Sequence, residues 1–232
     1  MAACQPQDPA HANSPAVKDA HSFPFSGSML TVNADETSVH IVSGSAGRVV
    51  VSRVRHGSAA DSGNSRLAMH GGTLDLGVTC EGLVTSCDSK ITVSVPPGVG
   101  LQIVASGSPI TMSGLTGAVD ARVTNDGSLS VDGSSGNLHL RCGGGNIVVQ
   151  QARSARVWAR ATADGNVNLG FARPPREVDA YASGSLRVTL PAGFTYRVVG
   201  PSVSGNVPSD SSSQRVSSVT ANDGTAVVDQ AG

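Results

Sequence analysis

The chain predicts an all-β protein: a single-stranded β-helix, or β-solenoid, with ~20-residue rungs, two strands per rung and a less regular N-terminal part. Three observations carry this. First, a polar turn closing on glycine recurs, as in Asn125 Asp126 Gly127, Gly145 Asn146, Ala163 Asp164 Gly165 Asn166, Ser183 Gly184 Ser185, Ser204 Gly205 Asn206 and Asn222 Asp223 Gly224. Glycines 127, 145, 165, 184, 205 and 224 lie 18, 20, 19, 21 and 19 residues apart. Second, apolar residues at alternate positions follow each turn, the period of a half-buried strand. Third, another strand-like run lies about ten residues further on in each period: Val119–Val123, Leu138–Cys142, Val157–Ala161, Val178–Ala182, Phe194–Val198 and Val216–Val219. Such a rung is too short to bury its own apolar face and gains stability by stacking on the next. Turn signals at 8–12-residue spacing also permit a β-sandwich. The longer period favours the solenoid, because a sandwich has no need to repeat its turn chemistry.

Composition narrows the class. Charged residues are 14% and apolar residues 39% of 232, and the apolar ones alternate rather than cluster. No apolar run approaches the ~20 residues of a membrane-spanning helix. A net charge of −1 argues against a general nucleic-acid binder, which needs a basic excess. Low charge with many Ser, Thr, Gly and Val suits an exported all-β protein.

Met1 Ala2 Ala3 Cys4 looks like the end of a bacterial lipoprotein signal, which makes Cys4 the expected lipidation site. Residues 1–20 read as this start plus a flexible linker, with Pro6, Pro9 and Pro15 among polar residues. Order is expected from His21. Residues 21–98 read as an N-terminal β-strand region: Met29–Val32, Ser38–Val42, Arg48–Arg55, Leu67–Met69, Thr73–Val78 and Lys90–Val95. The run Val49 Val50 Val51 suggests a strand covered on both faces, and residues 56–66 a surface loop. Cys80 and Cys87 bracket a short polar loop and are read as a disulfide, which implies an oxidising compartment. Pro96 and Pro97 end the last strand, since proline has no N–H for the ladder. Residues 99–232 form the regular repeats, continuous with 21–98 as one domain. An inward stripe is expected from Leu129, Val131, Leu138, Leu140, Ile147, Val149, Val167, Leu169, Leu186 and Val188, with Cys142 inward by parity.

In order, the strand pair around Phe25 Ser26 Gly27 Ser28 Met29 Leu30 Thr31 Val32, the double-Cys segment, Val93 Ser94 Val95 Pro96 Pro97 Gly98 Val99, the Asp-Gly turns and Leu190 Pro191 Ala192 Gly193 Phe194 Thr195 Tyr196 Arg197 Val198 form a set. Over residues 22–229 this set resembles the bacterial "putative adhesin" family of β-strand-repeat proteins, of the actinobacterial lipoprotein type. The resemblance implies a β-helical fold, a cell-surface location and no assigned catalytic residues.

Catalytic constellations are sparse. There is no Gly-x-Ser-x-Gly elbow and no phosphate loop. Zinc is not expected, because no second Cys or His pair sits at ligand spacing. Asp126, Asp164 and Asp223 precede glycine and are explained by turn structure. Asp120 and Asp179 should lie about three rungs, or ~14 Å, apart, beyond the ~5–9.5 Å of a glycosidase pair. The expectation is therefore a protein that is not an enzyme and carries no cofactor.

The most informative pattern is a ladder. Arg122, Arg141 and Arg160 each lie 19 residues apart and alternate with apolar neighbours, so all should point outward. Two residues earlier stand Asp120, His139 and Trp158, with Arg156 and Tyr181 continuing the face. Stacked guanidinium groups repel by roughly 1 kcal/mol in water, so flanking acids or a bound anion should offset them. The expected partner is an anionic cell-envelope polymer or a surface protein, with membrane contact only through a lipid anchor. Alternatives are a carbohydrate-active β-helix enzyme acting on acidic polysaccharide, and a passive spacer whose arginine stems merely cover the sheet.

Overall fold

A computed structural model describes residues 16–79 and 87–231. In chain order the strands are β1 (Val17–Pro24), β2 (Met29–Asp35), β3 (Ser38–Ser43), β4 (Arg48–Gly57), β5 (Ser65–His70), β6 (Thr73–Val78) and β7 (Cys87–Val95). Next come β8 (Gly100–Ser106), β9 (Ile110–Ser113), β10 (Val119–Thr124), β11 (Leu129–Asp132), β12 (Leu138–Cys142), β13 (Ile147–Ala152) and β14 (Arg156–Ala161). The last are β15 (Val167–Phe171), β16 (Glu177–Ala182), β17 (Leu186–Leu190), β18 (Arg197–Val199), β19 (Val203–Ser204), β20 (Val216–Ala221) and β21 (Ala226–Gln230). Among the described residues no helix is long and apolar enough to cross a membrane.

From β8 to β17 the chain alternates between two sheets. Even-numbered strands join one and odd-numbered strands the other, each pairing in parallel with the strand one period away. Val119 faces Leu138, which faces Val157; Leu129 faces Ile147, which faces Val167. Every residue of the expected inward stripe is buried, and Cys142 with it. The two inner faces share one hydrophobic cluster that runs from Phe25 to Val228. Strands on both sides of Pro96–Pro97 belong to the same two sheets.

Both ends of the stack depart from chain order. The β2–β3 rung lies between β6–β7 and β8–β9: β2 pairs with β6 and β8, and β3 with β7 and β9. At the other end β20 pairs with β16 and β21 with β17. The earlier strands β18 and β19 lie outside them. The chain thus skips a position and returns to fill it. Antiparallel strands finish the N-terminal end, with β4 against β7, β1 against β4 and β5 against β6.

Four local expectations change, the first being the strand expected over Phe194–Val198, which is only Arg197–Val199, with Phe194 exposed before it. β1 starts at Val17, inside the stretch read as linker, because it pairs along its whole length with β4. Val49 and Val51 are buried but Val50 is not, so β4 has one covered face rather than two. The stretch read as a loop over 56–66 is partly structural, since Ala59 sits in a short 3-10 turn (Ser58–Ala60) and is fully buried.

The repeated glycines have a steric role. At the first corner the left-handed residues are Asn125, Asp126, Ala163 and Asp164, with φ of 54°, 63°, 48° and 66°, and not the glycines that follow them. A Cβ on Gly145 would lie 2.2 Å from the Gly127 carbonyl oxygen, and one on Gly165 2.4 Å from that of Gly145. At the opposite corner a Cβ on Gly136 would lie 1.8 Å from the Gly117 oxygen. Asn166 ties adjacent rungs at the first corner: its backbone N–H and side-chain amide donate to Asn146 Oδ1 at 2.9 and 3.0 Å, and its own Oδ1 accepts from Ser185 N–H at 2.8 Å. Such amide ladders suit stacked parallel strands.

Candidate functional site

The outer face of the even-numbered sheet gathers the ladder. Alternation sends Val119, Ala121 and Val123 of β10 into the core and leaves Asp120 and Arg122 outside. Parallel register then aligns rungs residue by residue. Arg122 lies opposite Arg141, Arg141 opposite Arg160, and Arg160 opposite Tyr181. The adjoining column reads Asp120, His139, Trp158, Asp179. Arg156 stands on the same face opposite Glu177, with Arg156 Nε 3.5 Å from Glu177 Oε2.

Each stacked guanidinium has a different local partner. Arg141 Nη2 donates to Asp120 Oδ1 at 3.3 Å and lies 3.1 Å from His139 Nδ1. His139 Nδ1 is also 3.0 Å from Asp120 Oδ2. The Arg141 guanidinium sits 5.7 Å from the centre of the Trp158 ring, against which His139 packs at 4.2 Å and a 55° tilt. Arg160 stacks on Tyr181 at 4.5 Å. Cation–π contact leaves the cation's charge intact for another ligand. Arg122 is exposed and, among the described residues, makes no hydrogen bond, ion pair or ring contact. The expected repulsion is thus met at Arg141 by Asp120 and the two rings, while Arg122 and Arg160 keep unpaired charge. A shallow depression beside the column is lined by Arg122, Thr124, Arg141, Gly143, Arg160 and Thr162.

The face extends past the residues found in sequence. Gln102 and Val104 of β8 continue the two columns opposite Asp120 and Arg122, and Val104 is 48% exposed. Stepping one period upstream of Arg122 reaches Val104, so this part was open to sequence reasoning. Thr31 and Asn33 of β2 continue the columns further. They were not accessible that way, because β2 joins out of chain order.

The cysteines divide. Cys4 and Cys80 lie outside the described residues, and so do the lipidation site and the Cys80 side of the expected pairing. Cys87 opens β7. Cys142 is a buried free thiol whose Sγ donates to the Gly127 carbonyl at 2.9 Å, a core position as expected. Among the described residues no three His, Cys, Asp or Glu side chains are grouped to hold a metal ion.

A second charged cluster sits at the N-terminal end. Arg53 is buried on β4 and reaches Asp19 of β1 through both Nε, at 3.0 Å, and Nη2, at 2.5 Å. Its Nη1 donates to Ser65 Oγ of β5 at 3.2 Å, which bridges the two sheets. Arg55 and His21 also approach Asp19, at 3.4 and 2.9 Å. Burial pushes the Asp19 carboxyl up, but hydrogen bonds from Arg53 and His21 and the charges of Arg53 and Arg55 outweigh it and hold it below the usual aspartate range. This network anchors an edge strand and is read as structural.

No protein-family model matches the chain, and no curated protein matches it. Solved structures are similar in arrangement. A "putative adhesin" from Bacteroides fragilis aligns at 13% identity and a TM-score of 0.42, over 93% of this chain and 97% of that one. A "putative cell adhesion protein" from Clostridium sporogenes aligns at 10% identity and 0.38, over 93% and 100%. A "putative lipid binding protein" from Parabacteroides distasonis aligns at 14% and 0.40, over 93% and 97%.

Proposed function

We propose that the chain is a β-solenoid displayed on a bacterial cell surface, which binds an anionic envelope polymer through the outer face of its even-numbered sheet and is not an enzyme. The observation that carries this is the in-register column Arg122–Arg141–Arg160 beside the His139–Trp158 ring pair. Cations at strand spacing with flat rings alongside suit a linear polymer lying along the stack, which gains from several weak contacts at once. The acids do not form a hydrolytic pair: Asp120 and Asp179 are three strand steps apart, ~14 Å, and Glu177 is engaged by Arg156. A lipid anchor at Cys4 and a Cys80–Cys87 disulfide belong to the same proposal. Intact mass of the protein from its own membranes reads both, with a diacylglyceryl-type addition and the loss of two hydrogens expected.

The test of binding is retention on purified anionic cell-wall polymer. Arg122→Ser/Arg141→Ser/Arg160→Ser should lower retention at least about tenfold and flatten its salt dependence, since exposed contacts of this kind are screened. Unchanged retention would defeat the proposal. The rival reading, a polysaccharide-degrading enzyme, predicts product release from acidic polysaccharide that Asp179→Asn abolishes. A passive spacer predicts no retention of the unmodified protein.

A further inference from the structure

Resting on that binding face, we propose a more specific ligand: an acidic polysaccharide whose charged and neutral sugars alternate, one carboxylate to every two rings. The argument comes from which guanidinium groups are free. The middle rung of the ladder is neutralised internally, because Arg141 is held by Asp120 and turned toward His139 and Trp158. Arg122 and Arg160 flank it, one with no polar partner among the described residues and the other held only by the Tyr181 ring. They are two strand steps apart in continuous register, so their charges repeat at ~10 Å along the stack.

The neighbouring column supplies the surface beside them. His139 and Trp158 occupy its middle, and Asp120 and Asp179 stand at either end. A polymer laid along this face meets an aromatic surface between two carboxylates. A neutral sugar ring can stack over His139 and Trp158 while its charged neighbours reach Arg122 and Arg160. A polymer with a charge on every ring must also set a carboxylate against the middle rung, where Asp120 already neutralises Arg141. Like charges that close are unfavourable and select against it. The face thus combines attraction at two rungs with no free cation at the rung between them.

The experiment compares three probes at equal ionic strength by calorimetry or biolayer interferometry on the full chain. They are hyaluronan, with alternating uronic acid and N-acetylhexosamine; polygalacturonate, with a carboxylate on every ring; and dextran, which is neutral. Hyaluronan should bind about tenfold tighter than polygalacturonate, and dextran weakest. Arg122→Gln and Arg160→Gln should each weaken hyaluronan binding roughly threefold to fivefold, the scale of one exposed ion pair. Asp120→Asn should strengthen polygalacturonate binding more than hyaluronan binding. Polygalacturonate binding as tightly as hyaluronan would overturn the alternating-charge assignment and leave the binding face standing. Failure of the unmodified protein to bind either acidic polymer, while cell-wall retention persists and depends on the arginines, would also overturn the polysaccharide assignment. Failure of both assays would remove the face itself.

Discussion

Gly136→Ala should destabilise the fold by roughly 3 kcal/mol or more, at or above the upper end of ordinary overpacking. The added Cβ would sit 1.8 Å from the carbonyl oxygen of Gly117 and 2.3 Å from its carbonyl carbon, and both belong to the backbone of the adjacent rung. No side-chain rotation relieves that contact. The two rungs must part at the corner, which lengthens neighbouring parallel hydrogen bonds and pulls Ser154 Oγ from the Gly136 carbonyl it holds at 2.6 Å. The matched control is Gly143→Ala. There the nearest atoms stand at 3.6 Å, an ordinary van der Waals distance, and φ is not positive. Stability should be unchanged or raised by up to about 1 kcal/mol, through the smaller entropy of the unfolded chain. Urea midpoints measure both. Equal midpoints for the two variants would refute the steric account of the repeated glycines.

Asp19→Asn should cost about 2–3 kcal/mol and release β1 first. This is less than the ~3–5 kcal/mol of a fully buried pair, because the Asp19 side chain is 25% exposed. The substitution leaves Arg53, 9% exposed, without its counter-charge. Hydrogen exchange should show loss of protection along β1 and β4 before the rest of the odd-numbered sheet. The pH dependence has a definite sign. A carboxyl whose folded value lies below its unfolded value of ~3.9 contributes fully at neutral pH, and the contribution is lost as pH falls through the lowered folded value. The native protein should therefore lose stability below about pH 4 through this group, and Asp19→Asn should remove that part of the slope. An unaltered acid limb in the variant would show that Asp19 carries no such linkage.

The regular part of the fold was legible because its physics is local and repeats. Alternation places Leu129, Val131, Leu138 and Leu140 inside, and the ~19-residue step places Arg122, Arg141 and Arg160 in one column. These follow from the strand period of two and from the identical geometry of successive parallel steps. The turns were legible in kind. Their glycines were not legible in cause, since the clash at Gly136 or Gly145 involves a backbone atom about one period away. The strand nature of β1 was hidden for a similar reason. Val17–Pro24 is polar and exposed along most of its length, and becomes a strand through pairing with β4 and the Asp19–Arg53 contact.

The sequence by itself determined the all-β class, the period, the inward stripe and the rung-to-rung alignment of the candidate face, because each is encoded by spacing within one or two periods. Only the tertiary structure decided the spatial order of the end rungs. A parallel edge accepts any strand that presents an apolar face in register, and closing a longer loop costs only ~0.6 kcal/mol per doubling. The local pattern is therefore the same whether β2–β3 stacks in sequence or is inserted between β6–β7 and β8–β9. The tertiary structure also decided which arginines stay free. Asp120 and Trp158 come from the rungs on either side of Arg141, and their contacts with it exist only once those rungs are stacked.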